Sequence, residues 1–325
     1  VFGKSRKGMV LAVIAVAGAV TAAAQVPVDG NLPEYQAAKG VTGSIKSAGS
    51  DTMNNLMALW AEGFKKFYPN VSVEIEGKGS STAPPALIAG TANFGPMSRE
   101  MKAAEIDGFK KKFGYPPTPL PTSLDVLAVY VHKDNPLKGL SLKQLDAIFS
   151  KTRRGGLEKD LPTWGDLGLT GEWARRPISL YGRNSASGTY GFFKEHALFG
   201  GDYKDSVKEQ PGSSSVIQGV ASDPYAMGYS GIGYKTADVR AVPLSQDGGA
   251  YFEADAENAY SGDYPLARLL YVYVNAKPGE PLDPLRREFV KYIFSRTGQE
   301  DVVKAGFYPI SAELAKQTLE ALKIK

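Results

Sequence analysis

Strand-like and helix-like runs alternate along most of this chain, and that alternation limits its fold more than any other feature. Val71, Val73 and Ile75 interleave with Ser72, Glu74 and Glu76, a period of two that marks a strand. Just before them, residues 52–68 carry Leu56, Leu59, Trp60, Phe64 and Phe67 at helical spacing. Further strands are predicted at 44–48, 92–94, 124–131, 178–181 and 269–274. Further helices are predicted at 84–90, 98–113, 141–149, 189–198 and 215–221, with one long helix over 284–304. Ser141 is the expected N-cap of its helix. Residues 114–121 hold four prolines and read as a loop, and 151–173 as a polar, glycine-rich loop or insertion. This order predicts an α/β fold with largely parallel sheets. No internal repeat is present, which excludes a solenoid. A chain of 325 residues is about twice the ~150 of one domain, so two α/β lobes are expected.

Residues 1–24 do not share this pattern. Lys4, Arg6 and Lys7 precede an uncharged apolar run, Met9 to Val20, and then the small residues Ala22, Ala23 and Ala24. This is the pattern of a secretory signal peptide, and the run is shorter than the ~20 residues that span a bilayer. The alternative is a retained N-terminal anchor. Gln25 to Val41 is expected to be a flexible polar lead-in. Removing residues 1–24 takes three of the 38 Lys and Arg and none of the 34 Asp and Glu, leaving the two signs nearly balanced. A broad nucleic-acid footprint is therefore not supported, and a small ligand fits better. Cysteine is absent, which removes disulfides, thiolate metal sites and cysteine nucleophiles together. The two histidines, His132 and His196, are too few for a three-histidine metal site.

Ligands of open α/β sheets bind beyond the carboxyl ends of the strands, so the strand-to-helix junctions matter most. Four of them share a composition: AGSDTM at Ala48–Met53, GKGSST at Gly77–Thr82, FGPMSR at Phe94–Arg99 and GRNSASGT at Gly182–Thr189. Glycine admits a close approach of backbone N–H groups, and serine and threonine add neutral donors. A helix N-terminus favours an anion, and Arg99 and Arg183 offer a planar fork to oxyanion oxygens. Four such loops in one cleft make a cage for a tetrahedral oxyanion. Capping alone explains the hydroxyls of any single loop. It does not explain glycine and arginine recurring in the set. GKGSST has Thr82 in place of the last glycine of a dinucleotide fingerprint, and neither a Walker A nor a G-x-S-x-G motif occurs. His196 lies among Phe192, Phe193 and Phe199 and reads as a packing residue, and His132 as part of an exposed turn.

At these loops the chain resembles the periplasmic phosphate-binding protein of the high-affinity phosphate ABC transporter, the PstS family. The resemblance runs from about Thr42 to the end. Its most specific element is Arg183 followed by Ser187, Gly188 and Thr189, which match the family's arginine and Ser-Gly-Thr. Gly79, Ser80 and Ser81 match the family's serine-rich turn, and Gly49, Ser50, Asp51 and Thr52 match its first loop loosely. The GGAYF, LLYVYVN and GFYPIS segments are similar too. Many members carry an Asp in the third loop that accepts the phosphate proton. Here that loop has Ser98 and Arg99 and no acid, which leaves Asp51 as the nearest candidate.

The resemblance implies a two-lobed type II periplasmic binding protein fold with the ligand in the interlobe cleft. The expected division is a first lobe of 42–123 and 246–325 and a second of 124–245. It implies binding of inorganic phosphate by Ser50, Asp51, Thr52, Ser80, Ser81, Ser98, Arg99, Arg183, Ser187, Gly188 and Thr189. It further implies delivery to an ABC-transporter permease by a monomeric periplasmic protein that needs no metal or cofactor, binds no nucleic acid and is not an enzyme. The alternatives are a secreted phosphatase or phosphoryl transferase using the same cleft, or a binding protein for sulfate, molybdate or tungstate.

Overall fold

The apolar alternation of the sequence becomes buried strand and helix faces in a computed structural model of the chain, which describes residues 26–324. The expected signal segment lies outside the described residues. β1 (Ser44–Ala48) pairs in parallel with β2 (Ser72–Glu76), with α1 (Asn54–Lys65) between them. The helical stripe of α1 buries Leu56, Met57, Trp60 and Phe64, and Trp60 Nε1 donates to Gly298 O at 2.8 Å. α2 (Ala83–Ala89) leads to β3 (Phe94–Met97), also parallel to β1, and α3 (Ala103–Phe113) follows.

β4 (Thr118–His132) then leaves this lobe as one strand of 15 residues. Beyond it come β5 (Leu140–Ser141), α4 (Leu142–Phe149), β6 (Ser179–Arg183), α5 (Gly188–His196) and β7 (Lys208–Gln210). Ser141 caps α4 as expected, its Oγ accepting the Gln144 N–H at 3.2 Å. α6 (Ser213–Ser222), β8 (Ala226–Gly231), β9 (Val239–Ala241), β10 (Leu244–Ser245) and α7 (Ala256–Ser261) complete this part. β11 (Ala267–Val274) returns antiparallel to β4, and α8 (Pro284–Ile293), α9 (Arg296–Lys304) and α10 (Ala312–Ala321) close the first lobe.

The hydrogen-bonded strand order is β2-β1-β3-β11-β4-β8-β6-β7, with β9 also on β4. Pairing within each lobe is largely parallel, and the two crossing strands, β4 and β11, run antiparallel to their neighbours. Two apolar cores lie on either side of the crossing. One holds Trp60, Phe64, Phe94, Leu120 and Leu270, and the other Val126, Phe149, Trp164, Phe193 and Tyr229. Among the described residues no helix is long and apolar enough to cross a membrane.

Three expectations need revision. The described part of the lead-in, residues 26–41, forms no helix or strand, yet it is packed rather than loose. Leu32, Tyr35 and Val41 are buried in the first core, and Tyr35 Oη lies 2.9 Å from Tyr68 Oη and 3.1 Å from Glu288 Oε2. Residues 118–121, read as a proline loop, are already strand. Pro119 and Pro121 pair with Tyr273 and Tyr271 of β11, while β8 and β9 reach only residues 127–132 of β4. The proline half is therefore an edge, where a missing N–H leaves no ladder bond unmade. The helix expected over 284–304 is two, because Ser295 breaks in and caps α9, its Oγ accepting from Gly298 N–H at 3.2 Å. Ahead of β11, Ala259, Tyr264 and Leu266 pack in the second core.

Candidate functional site

The four junctions singled out by composition meet where the lobes face each other. In the first, Ser50 is buried and its N–H donates to Pro96 O at 2.8 Å, which ties this loop to the third. Asp51 Oδ2 accepts the N–H of Ser213, the first residue of α6, at 2.8 Å. The same oxygen lies 3.1 Å from Arg183 Nη1. Thr52 Oγ1 lies 2.9 Å from Thr189 Oγ1 across the cleft.

The second junction needs its glycine. Gly79 has φ +121°, and a Cβ there would meet Ala186 O at 2.5 Å. The bare backbone lets Ser81 N–H donate to that carbonyl at 3.1 Å, a direct bond between lobes. Ser80 is fully buried, and its Oγ accepts the Ser98 N–H at 3.0 Å.

The fourth junction opens α5. Ser187 Oγ accepts the N–H groups of Thr189 and Tyr190 at 3.1 and 3.3 Å and so caps the helix. Gly188 presses its α-carbon against the opposite lobe: a Cβ would lie 2.3 Å from Ser80 Oγ and 2.6 Å from Ser98 Oγ. The positive end of α5 thus points at two hydroxyls of the first lobe, the arrangement that suits an anion.

Arg183, at the end of β6, is 1% exposed. Its Nη1 donates to Ser213 Oγ at 2.7 Å and its Nη2 to Pro211 O at 3.1 Å, while its buried Nε finds no partner among the described residues. Burial lowers the pKa of this guanidinium, and the Asp51 carboxylate opposes the shift. Arginine remains charged under both influences. A buried, unpartnered N–H on a cation is unfavourable unless an acceptor reaches it. An oxyanion can supply one.

Arg99 is arranged differently from the sequence expectation. Its Nη1 and Nη2 form a bidentate pair with Glu105, both at 2.8 Å, and Nη2 lies 3.3 Å from Ser81 Oγ. Burial pushes the Glu105 carboxyl up, but Arg99 and the Lys102 N–H outweigh it and hold it below its ordinary value. The Arg99 charge is therefore already matched. The side chain lines a groove of about 960 Å³ that reaches the fourth junction, with Ser187, Tyr190, Phe192 and Arg268.

Four residues at this junction escaped sequence reasoning. Ser213 and Tyr234 hold Asp51, the Tyr234 O–H donating to Asp51 O at 2.9 Å. Asp125 and Arg268 pair below the cleft, Arg268 Nη2 and Nε lying 2.8 and 3.0 Å from Asp125 Oδ2. A signal existed for the last two. Each is a lone charge inside an otherwise apolar strand run, which demands a partner. Neither histidine lies in the four loops: His196, exposed rather than packed, lines the groove beside Arg99 with its ring tilted against Phe192 at 4.1 Å, and His132 ends β4 beside Asp134. Among the described residues no three His, Cys, Asp or Glu side chains gather as a metal site.

Comparison with known proteins agrees with this geometry. A family model described as a PBP superfamily domain matches residues 34–297. The chain is 53% identical over 320 residues to the phosphate-binding protein PstS of Pseudomonas aeruginosa, covering 98% of this chain and 99% of that protein. It is 28% identical over 291 residues to PstS of Staphylococcus haemolyticus, covering 88% and 87%. Among solved structures it resembles a substrate-binding protein from Clostridium perfringens with bound phosphate. That match has a TM-score of 0.70 and 27% identity, and covers 82% of this chain and 100% of that one. An ABC-type phosphate transport receptor from Vibrio cholerae shares the fold, with a TM-score of 0.63 and 20% identity over 82% of this chain and 100% of that one.

Proposed function

The chain belongs to the PstS family of phosphate-binding proteins, and from that premise we propose that it captures inorganic phosphate between its lobes and delivers it to an ABC importer. The observation that carries this reading is the junction itself: a buried Arg183 whose Nε has no partner among the described residues, beside the hydroxyls and N-terminal amides of four loops drawn from both lobes. Removing phosphate from water is unfavourable unless many donors replace the lost contacts. Arg183 supplies a charge-assisted pair. Ser50, Thr52, Ser80, Ser98, Ser187 and Thr189 supply hydroxyls, and the backbone N–H of Gly188 completes the shell, the Ser81 N–H being committed to Ala186 O. Arg99, held by Glu105, belongs to the mouth of the cleft rather than its floor.

Asp51 is the proposed proton acceptor. One of its oxygens is fixed by Ser213 and Arg183. The other accepts the proton that phosphate keeps near neutral pH. Sulfate brings no proton and meets only repulsion there, so the same carboxylate admits one anion and rejects the other.

The lobes in this reading divide within β4 and rejoin at β11. Closure around the ligand is the signal that the membrane permease reads. The protein acts as a periplasmic monomer, exported by its N-terminal segment, and it binds rather than hydrolyses. Titration calorimetry against phosphate, sulfate and molybdate at two pH values tests the ligand. A chromogenic phosphate ester tests for hydrolysis. Tight binding of phosphate alone with no ester cleavage is expected, and preferential binding of sulfate or molybdate would replace the proposed ligand.

A further inference from the structure

Asp125 and Arg268 face each other in register on β4 and β11, the two strands that cross between lobes. Both are buried, Asp125 completely. A buried ion pair at a crossing could be a plain structural tie, but the guanidinium does more than match the carboxylate. Its Nη1 donates to Ser98 O in the first lobe at 2.9 Å. Its Nη2 lies 3.0 Å from Thr189 Oγ1 in the second lobe. Thr189 Oγ1 is the atom that also meets Thr52 across the cleft. The guanidinium sits 5.3 Å from the ring centre of Phe192, on α5. Asp125 Oδ1 in turn accepts the Ile232 N–H at 3.1 Å, just beyond β8.

One side chain is thus bonded at once to the crossing, to the third loop of one lobe and to the first turn of α5 in the other. The bonds to Ser98 and Thr189 together need both lobes in their present places. Opening the cleft separates Ser98 from Thr189 and leaves part of a buried cation without an acceptor, which is unfavourable. We infer that Arg268 is a closure latch, a positioning residue that holds the lobes together over the ligand without being one of its main anchors. The inference rests on the reading of the chain as a cleft that binds an oxyanion. A latch of this kind acts on the closed state, so it slows escape of the ligand more than it speeds arrival. If the competent state is less populated, apparent affinity falls by that fraction.

The test uses Asp125→Asn/Arg268→Met, which removes both charges together, and Arg268→Lys, which keeps the ion pair but cannot reach Ser98 and Thr189 at once. Phosphate association and dissociation are measured by stopped flow. Spin labels at Lys112→Cys and Lys159→Cys, one on each lobe, report lobe separation with and without phosphate; the natural chain has no cysteine to interfere. The latch predicts dissociation about tenfold faster, the loss of one charge-assisted bond, with association within about twofold of the parent. It also predicts a larger population at long label distance. Dissociation within about twofold of the parent, or a loss confined to association, overturns it. Should the double variant fail to fold by circular dichroism, Arg268→Lys is read by the same criteria. If the parent binds no phosphate, the functional reading fails. The latch is then decided by the label distances alone, and distances unchanged between parent and variant overturn it.

Discussion

Arg183 is almost fully enclosed, yet one of its N–H groups has no acceptor among the described residues, and that imbalance makes it the most sensitive residue of the site. Arg183→Ala is expected to remove measurable phosphate binding in calorimetry, since truncating one partner of a desolvated charge pair costs at least about 2 kcal/mol. Asp51→Asn is expected to retain phosphate binding at reduced affinity and to let sulfate compete. Sulfate that still fails to compete against this variant would remove Asp51 as the discriminator. Arg99 has a different fate, and its partner sets a pH dependence. The Glu105 pKa in the fold lies below its ordinary value, so the pair stabilises the fold above the usual glutamate range near about 4.3. That contribution is lost as pH falls through the depressed value. Thermal melts across acidic pH should therefore lose less stability on acidification for Glu105→Gln than for the parent. Arg183 and the Ser187–Thr189 run were legible because their chemistry is local to one loop. The pairing of Arg99 was not, since Glu105 lies in the next helix and nothing in the spacing announces it. Asp125 and Arg268 were harder still, being joined only by strand register across half the chain.

Capping links the helices to the site. Ser187 Oγ already accepts two N–H groups at the start of α5, so it serves the helix as well as any ligand. Ser187→Ala is expected to lower stability in urea by about 1 kcal/mol and to weaken phosphate binding in the same protein. A loss of stability with unchanged affinity would restrict Ser187 to capping. Among the described residues, strand and helix periodicity located β1, β2, β3, β4, β6 and β11 and every helix but α7 and α10, because one buried face per element leaves its period in the sequence; it missed the short strands β5, β7, β9 and β10 and also β8. The errors came where neighbours decide. The prolines of β4 were read as a loop because their tolerance depends on which side of the strand lacks a partner. The break between α8 and α9 turned on a single buried serine whose Oγ also donates to Tyr292 O at 2.7 Å.

At the scale of the molecule, residues 26–41 strap the first lobe although they form neither helix nor strand. Their prolines and glycines, and the absence of a helical or strand period, concealed this, although Leu32, Tyr35 and Val41 reach the core. A chain shortened to begin at Lys39 is expected to lose about 3 kcal/mol or more in urea denaturation, from losing the burial of Leu32 and Tyr35. The two-lobed architecture was legible from length and alternation. The crossing at β11 was not, because residues 246–266 carry no pattern that favours one core over the other. The same crossing also governs how the molecule can move. Since β4 runs unbroken from one core into the next, with β11 alongside, sliding one half past the other would tear its ladder. What remains is flexing about a double spine, as the covers of a book turn on its binding, so a gain in width at the open edge demands little displacement near the spine.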